Sequence, residues 1–161
     1  MAPAATIGRM SAAGSRLAFR ALCLTVLASL PLAGQTPTTL RARLAPVPID
    51  VAMQATIAGL GTATATLTGD TLAVEGSYRG LITPATSVRI YESARMGMRG
   101  TLVGEFASGG GTAGAFKGTV TVSREQAASF AKGLLYVQVQ SEKAPDGNLW
   151  GWLTPAKGRR P

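Results

Sequence analysis

The sequence predicts an antiparallel β-sandwich with one short helix, and three observations carry that prediction. Short apolar stretches alternate with polar residues at a period of two and are cut by Gly, Pro and Asp at regular intervals. Ala, Thr and Val dominate a chain that has 20 glycines and only 6% aromatic residues, a mixture that suits half-buried pleated strands better than helices. One segment alone, SREQAASFAKG at residues 123–133, changes to a helical period. Charged residues make up 15% of the chain, below the roughly 25% usual for soluble domains, so the polar surface must lean on Thr, Ser, Gln and backbone groups.

The elements follow in order. After a Thr/Pro-rich linker at 35–38, Leu40, Ala42 and Leu44 alternate with Arg41 and Arg43, which reads as a first edge strand ended by Pro46 and Pro48. GTATATLTGDTLAVEGSYRGL reads as a hairpin turning at Gly69-Asp70, with Leu72, Val74, Gly76 and Tyr78 on one side of the return strand. SVRIYES (87–93) and TLVGEF (101–106) are strands joined by the loop ARMGMRG. The glycine-rich SGGGTAG (108–114) is a turn before AFKGTVTV. Ser123 with Gln126 fits a capping box and Gly133 a helix stop. LLYVQVQSEKAPDGNLWGWL (134–153) closes the chain as two alternating strands around a turn at Asp146-Gly147. The total is about eight strands, the spacing of a sandwich.

At 161 residues the chain has room for one domain behind a targeting segment. Arg9, Arg16 and Arg20 precede the 13-residue apolar run Ala21–Ala33, which is too short for a span of about 20 residues. Residues 1–34 therefore read as a secretory signal peptide, and the chain as secreted or periplasmic, with no stable membrane insertion once the signal is cut. An uncleaved anchor is the competing reading, because neither Pro31 nor Leu32 is the small residue preferred before a cleavage site. The single cysteine, Cys23, lies inside the apolar run, so a mature chain would have no disulfide and no thiolate site. Residues 1–34 hold three arginines and no acid, which leaves 13 basic against 8 acidic residues and a net charge near +5. The surplus suits acidic polysaccharide or lipid headgroups, or serves solubility alone. Only the tail at 156–161, with Lys157, Arg159 and Arg160, clusters it, and no nucleic-acid motif accompanies it.

The order GTATATL, YRGL, VRIYESA, a short helix and LLYVQVQ…APDGNLWGWL resembles a CHRD domain, from about Thr39 to Leu153. The last segment carries most of the likeness. It places a domain over residues 39–155, implies an immunoglobulin-like or Cu/Zn superoxide-dismutase-like Greek key, and implies a module found in bacterial secreted proteins and in chordin. Where the family pattern has a His-Ile-His triplet this chain has Arg89-Ile90-Tyr91. Where the family ends a strand in His this chain has Gln140, and its closing Glu, Arg and Gln are Asn148, Trp150 and Trp152. With no histidine anywhere, the metal or acid–base role that such a resemblance would suggest does not carry over, since Gln and Arg cannot replace imidazole.

The period-two rule, with the strand neighbours that the resemblance implies, puts Arg89, Tyr91, Gln138, Gln140, Trp150 and Trp152 on one face. Flat rings beside amide and guanidinium donors suit a sugar polymer. In the competing reading Arg89 stacks over a Trp, the amides bond across strands and loop 94–100 covers the patch. Other candidates have plainer readings: Gly109-Gly110-Gly111 as a hairpin tip and Met96 and Met98 as loop packing. The acids are dispersed, and a serine nucleophile would lack its histidine. The expectation is a non-catalytic, cofactor-free and metal-free binding or structural module. Its partner would be a glycan, an envelope component or an extracellular protein. The alternative is a divergent metal-binding or enzymatic sandwich with an unrecognised site.

Overall fold

Eight strands, a short 3-10 turn and one α-helix make up residues 36–47 and 50–155, the part of the chain that a computed structural model describes. The expected signal peptide over 1–34 and basic tail over 156–161 lie outside the described residues. The strands are β1 (Thr38–Pro46), β2 (Leu60–Thr68), β3 (Thr71–Arg79), β4 (Ala85–Glu92), β5 (Thr101–Ala107), β6 (Gly114–Thr121), β7 (Leu135–Ser141) and β8 (Ala144–Trp152), with helix α1 (Arg124–Ala131) between β6 and β7. All pairings are antiparallel, in the order β5-β4-β7-β8-β1-β2-β3-β6.

The sheet doubles back on itself into a nearly closed, barrel-like sandwich. β1 joins its two halves, pairing with β2 along Thr38–Leu44 and with β8 at Ala45 and Pro46. The edge strands β5 and β6 meet across the seam, where Gly104 lies against Val120 and Gly118 against the Phe106 ring. The inward residues of every strand meet in one core that includes Leu40, Leu44, Val74, Ile90, Val137 and Leu149. Size is matched across β1 and β2: Leu40, Ala42 and Leu44 face Ala65, Ala63 and Gly61. Leu44, fully buried, fits between Gly61 and Gly151.

Helix α1 begins as its residues require. The Ser123 side chain accepts from the Gln126 amide and the Gln126 side chain accepts from the Ser123 amide, a capping box. It ends in a Schellman motif, with Gly133 at φ +73°, Gly133 N–H donating to Phe130 O and Leu134 N–H to Ser129 O. Phe130 anchors the helix to the core.

Two expectations are corrected. β1 is an interior strand, paired on both sides. Its alternation of Arg with Leu and Ala reports one wet face, which an interior strand of a sandwich also has; alternation carries no information about pairing at the edges. The turn between β7 and β8 falls at Glu142-Lys143, and Asp146-Gly147 lies inside β8 at a register shift. Asp-Gly commonly makes a tight turn because glycine accepts positive φ. Here Gly147, at φ +120°, serves a bulge instead, and a Cβ on it would overlap the Gln138 amide.

Replacing Gly151 by Ala would put a methyl group 2.6 Å from the Arg43 carbonyl oxygen and 2.7 Å from Leu44 Cδ2. Such overpacking costs about 1–3 kcal/mol. Gly151→Ala is expected to lower the denaturation midpoint by a corresponding amount, and an unchanged midpoint would refute this account of the Leu44 pocket.

Candidate functional site

Strands β4, β7 and β8 lie side by side, and their alternation sorts their residues cleanly. Val88, Ile90, Val137, Val139, Leu149 and Leu153 point into the core, all with 0% exposure. The intervening residues face outward in two cross-strand rows. Arg89, Gln138 and Trp150 are aligned in one, and Tyr91, Tyr136 and Trp152 in the other. The structure thus brings together all six residues expected on this face, with Gln140 beyond Gln138 on β7. It adds Tyr136, which has the same parity as Gln138 and Gln140 and is readable by the same rule.

Tyr136 is the centre of the face and only 2% exposed. Tyr91 stacks on it at 5.2 Å between centroids and 12° between planes, and Trp150 stacks at 5.4 Å and 7°. Trp152 tilts over it at 4.8 Å and 52°. The rings therefore spend most of their faces on one another. Tyr91, Trp150 and Trp152 remain half-buried.

The loop after β4 closes one side. The Arg99 guanidinium lies over the Trp150 ring at 6.0 Å, and the Gly100 N–H donates to the Tyr136 phenol oxygen at 3.1 Å. Gly100 packs so tightly on the backbone of Glu92 that no side chain fits there. So the cation over the tryptophan is Arg99. Arg89 turns the other way, its Nε 3.2 Å from Glu105 Oε1.

Beneath the rings the glutamines form a relay. Ser87 donates to Gln140 Oε1 at 3.2 Å, Gln140 Nε2 donates to Gln138 Oε1 at 2.9 Å, and Gln138 Nε2 donates to the Asp146 carbonyl at 2.6 Å. Both glutamines are buried, and these bonds satisfy them. The Ser87 hydroxyl and then the Arg89 guanidinium hold the Glu105 carboxyl below its ordinary range. Ser87 has one proton to share between Glu105 and Gln140.

A shallow cleft of about 100 Å³ opens where the two rows meet the loop, lined by Arg89, Tyr91, Arg99, Gln138, Asp146 and Trp150 among others. One donor bordering it, Trp150 Nε1, is buried without an acceptor, while Arg89 Nε lies 3.2 Å from Glu105 Oε1. An unpaired buried donor costs on the order of 1–3 kcal/mol. The cleft lies beside this donor without exposing it. Its volume admits a few waters or one small oxyanion and excludes a whole sugar ring.

The remaining candidates are placed as follows. Met96 and Met98 lie exposed on the loop before β5. Gly109–Gly111 is not the hairpin tip expected: it lies in the β5–β6 connection, which joins two strands that do not pair, with the Gly110 carbonyl accepting from the Tyr78 hydroxyl at 2.8 Å. Asn148 is fully buried, its amide donating to Ser141 Oγ at 2.9 Å and its carbonyl accepting from the Ala58 N–H at 3.2 Å. Among the described residues no three His, Cys, Asp or Glu side chains gather into a metal-holding group, and no helix is long and apolar enough to cross a membrane.

Residues 40–153 match the family model of the CHRD domain. The chain belongs to the CHRD domain family. No curated protein and no solved structure gives a significant match. Within this CHRD domain, Arg89, Tyr91 and Gln140 belong to the outer face of the sheet. Here they pair with Glu105, stack on Tyr136 and join the amide relay.

Burial pushes the phenols of Tyr136 and Tyr78 above their usual value near 10. The neutral form is the one the fold favours, so this contribution to stability is complete below the ordinary tyrosine pKa. It is lost as pH rises through the raised one. Ultraviolet difference titration is expected to show phenols that ionise late, and Tyr136→Phe to remove one of them. A late step left unchanged by Tyr136→Phe would contradict the packing.

Proposed function

We propose that this CHRD domain is exported and works outside the cytoplasm as a non-catalytic binding module, with the outer face of β4, β7 and β8 as its working surface. The observation that carries the reading is the ring cluster itself. A sheet's outer face is ordinarily polar, yet here two tyrosines, two tryptophans and two arginines are concentrated around a small cleft. Trp, Tyr and Arg are the residue types that dominate binding hot spots, because they combine apolar area with a directed polar group. Export is supported by the arginine-led apolar run at 21–33, and the lack of a catalytic role by the absence of histidine and the dispersal of the acids.

Both tryptophans of the chain lie on this face, so intrinsic tryptophan fluorescence reports on it alone. The exported protein is expected to appear in the periplasmic or culture fraction. Its emission should be quenched by acrylamide and protected by a polysaccharide or envelope fraction, and Trp152→Ala should abolish the protection while the fold is kept. Cytoplasmic retention, or indoles that no extracellular material affects, would overturn the reading.

A further inference from the structure

The charge around the ring cluster identifies a ligand class. Pairings of Ala45 with Trp150 and of Arg41 with Thr154 set one register between β1 and β8, and that register puts Arg43 opposite Trp152. Arg41 and Arg43 are exposed and, like Arg99, make no ion pair among the described residues. A depression of about 470 Å³ lies on the β1–β2 side of Arg43, lined by Arg41, Arg43, Thr62, Thr64 and Thr154 among others, with no acid in its wall. Arginine therefore stands on both flanks of the aromatic strip: Arg41 and Arg43 on β1, Arg89 and Arg99 at the cleft. The acids within the same area are Glu105, already paired with Arg89, and Asp146 at the cleft rim. From β4 to β1 the face crosses three inter-strand spacings, roughly 14 Å. That is the reach of an oligosaccharide segment and more than one sugar ring needs.

We propose that this face binds a carboxylate-bearing polysaccharide, an inference that rests on the binding role proposed above and names its ligand. One carboxylate meets the exposed Arg99 guanidinium at the mouth of the cleft. The apolar C–H face of a sugar lies on Trp152, and a further acidic unit meets Arg41 and Arg43. The site is lateral and its polar groups stand among the rings, which suits a hydroxylated chain lying along the sheet better than insertion into a bilayer.

The test uses the exported chain and three probes: polygalacturonate, its methyl-esterified form with the same backbone, and phosphatidylglycerol vesicles. Polygalacturonate is expected to bind about tenfold or more tightly than the esterified form. Binding should weaken as salt rises. Arg43→Gln and Arg99→Gln should each lower affinity roughly two- to fivefold, and Lys117→Gln on the opposite half of the sandwich should not change it. Trp152→Phe, which keeps an aromatic ring, should retain most of the binding that Trp152→Ala loses. Equal binding of the two glycans, with Trp152→Ala still abolishing it, would overturn the acidic ligand class and leave the binding face standing. Polygalacturonate binding that ignores Trp152 and both arginines, or that is absent while the vesicles bind, would overturn the inference. Binding of none of the probes, with indoles that respond to no extracellular material, would overturn the inference and the binding role together.

Discussion

Strand β7 is buried on both faces, and the rest of the molecule is arranged around that fact. One side, Leu135, Val137 and Val139, is ordinary core. The other carries a tyrosine and two glutamines into a position where water cannot serve them. A glutamine amide hidden without partners costs more than its packing returns, so each must be supplied from within. The supply is directional: Ser87 to Gln140, Gln140 to Gln138, Gln138 to the β8 backbone at Asp146. Accepting that last bond requires β8 to bulge, and the bulge requires glycine at 147. Tyr136 in turn is covered by rings from both neighbouring strands and capped by the Gly100 amide. The site residues on β4, on β8 and in loop 94–100 are all answers to the burial of one strand.

The fold is legible in the sequence where a local rule decides it. Alternation in VRIY, YVQVQ and LWGWL puts the right residues on the outer face, and Ser123 with Gln126 marks the start of the helix as found. It is illegible where two rules compete for the same residues. Asp146-Gly147 satisfies the chemistry of a hairpin turn and of a bulge equally well, and only the buried Gln138 amide decides between them. Arg41 and Arg43 mark a wet face without saying that both edges of β1 are paired. The choice of Arg99 over Arg89 as the cation on Trp150 depends on Glu105, which sits one strand away and invites Arg89 to turn. No spacing within a single strand contains that information.

The chain has no histidine, and the polar side chains on this face are served one by one. Imidazoles gathered on a sheet face can share a metal or a proton. Arg, Tyr and Gln at 89, 91 and 140 do neither, and here each finds a different local partner. Asn148 is buried where it must donate to Ser141 and accept from Ala58 at once. A neutral amide does both, and a carboxylate would bring an uncompensated charge into that pocket.

What remains unsatisfied is small and localised. The glutamines, Asn148 and the Tyr136 phenol all have partners, and Trp150 Nε1 is the buried side-chain donor with neither an acceptor nor an ion-pair partner among the described residues. It borders the cleft on the side where Arg99 adds a cation. Stability alone would favour an indole whose N–H reaches a carbonyl or water, or a phenylalanine with no donor to satisfy. What the indole contributes is its ring, which stacks on Tyr136 and carries the Arg99 guanidinium. Exposed positive charge stands beside the aromatic strip at Arg99 and, across it, at Arg41 and Arg43, which is complementary to the acidic chain proposed as the ligand.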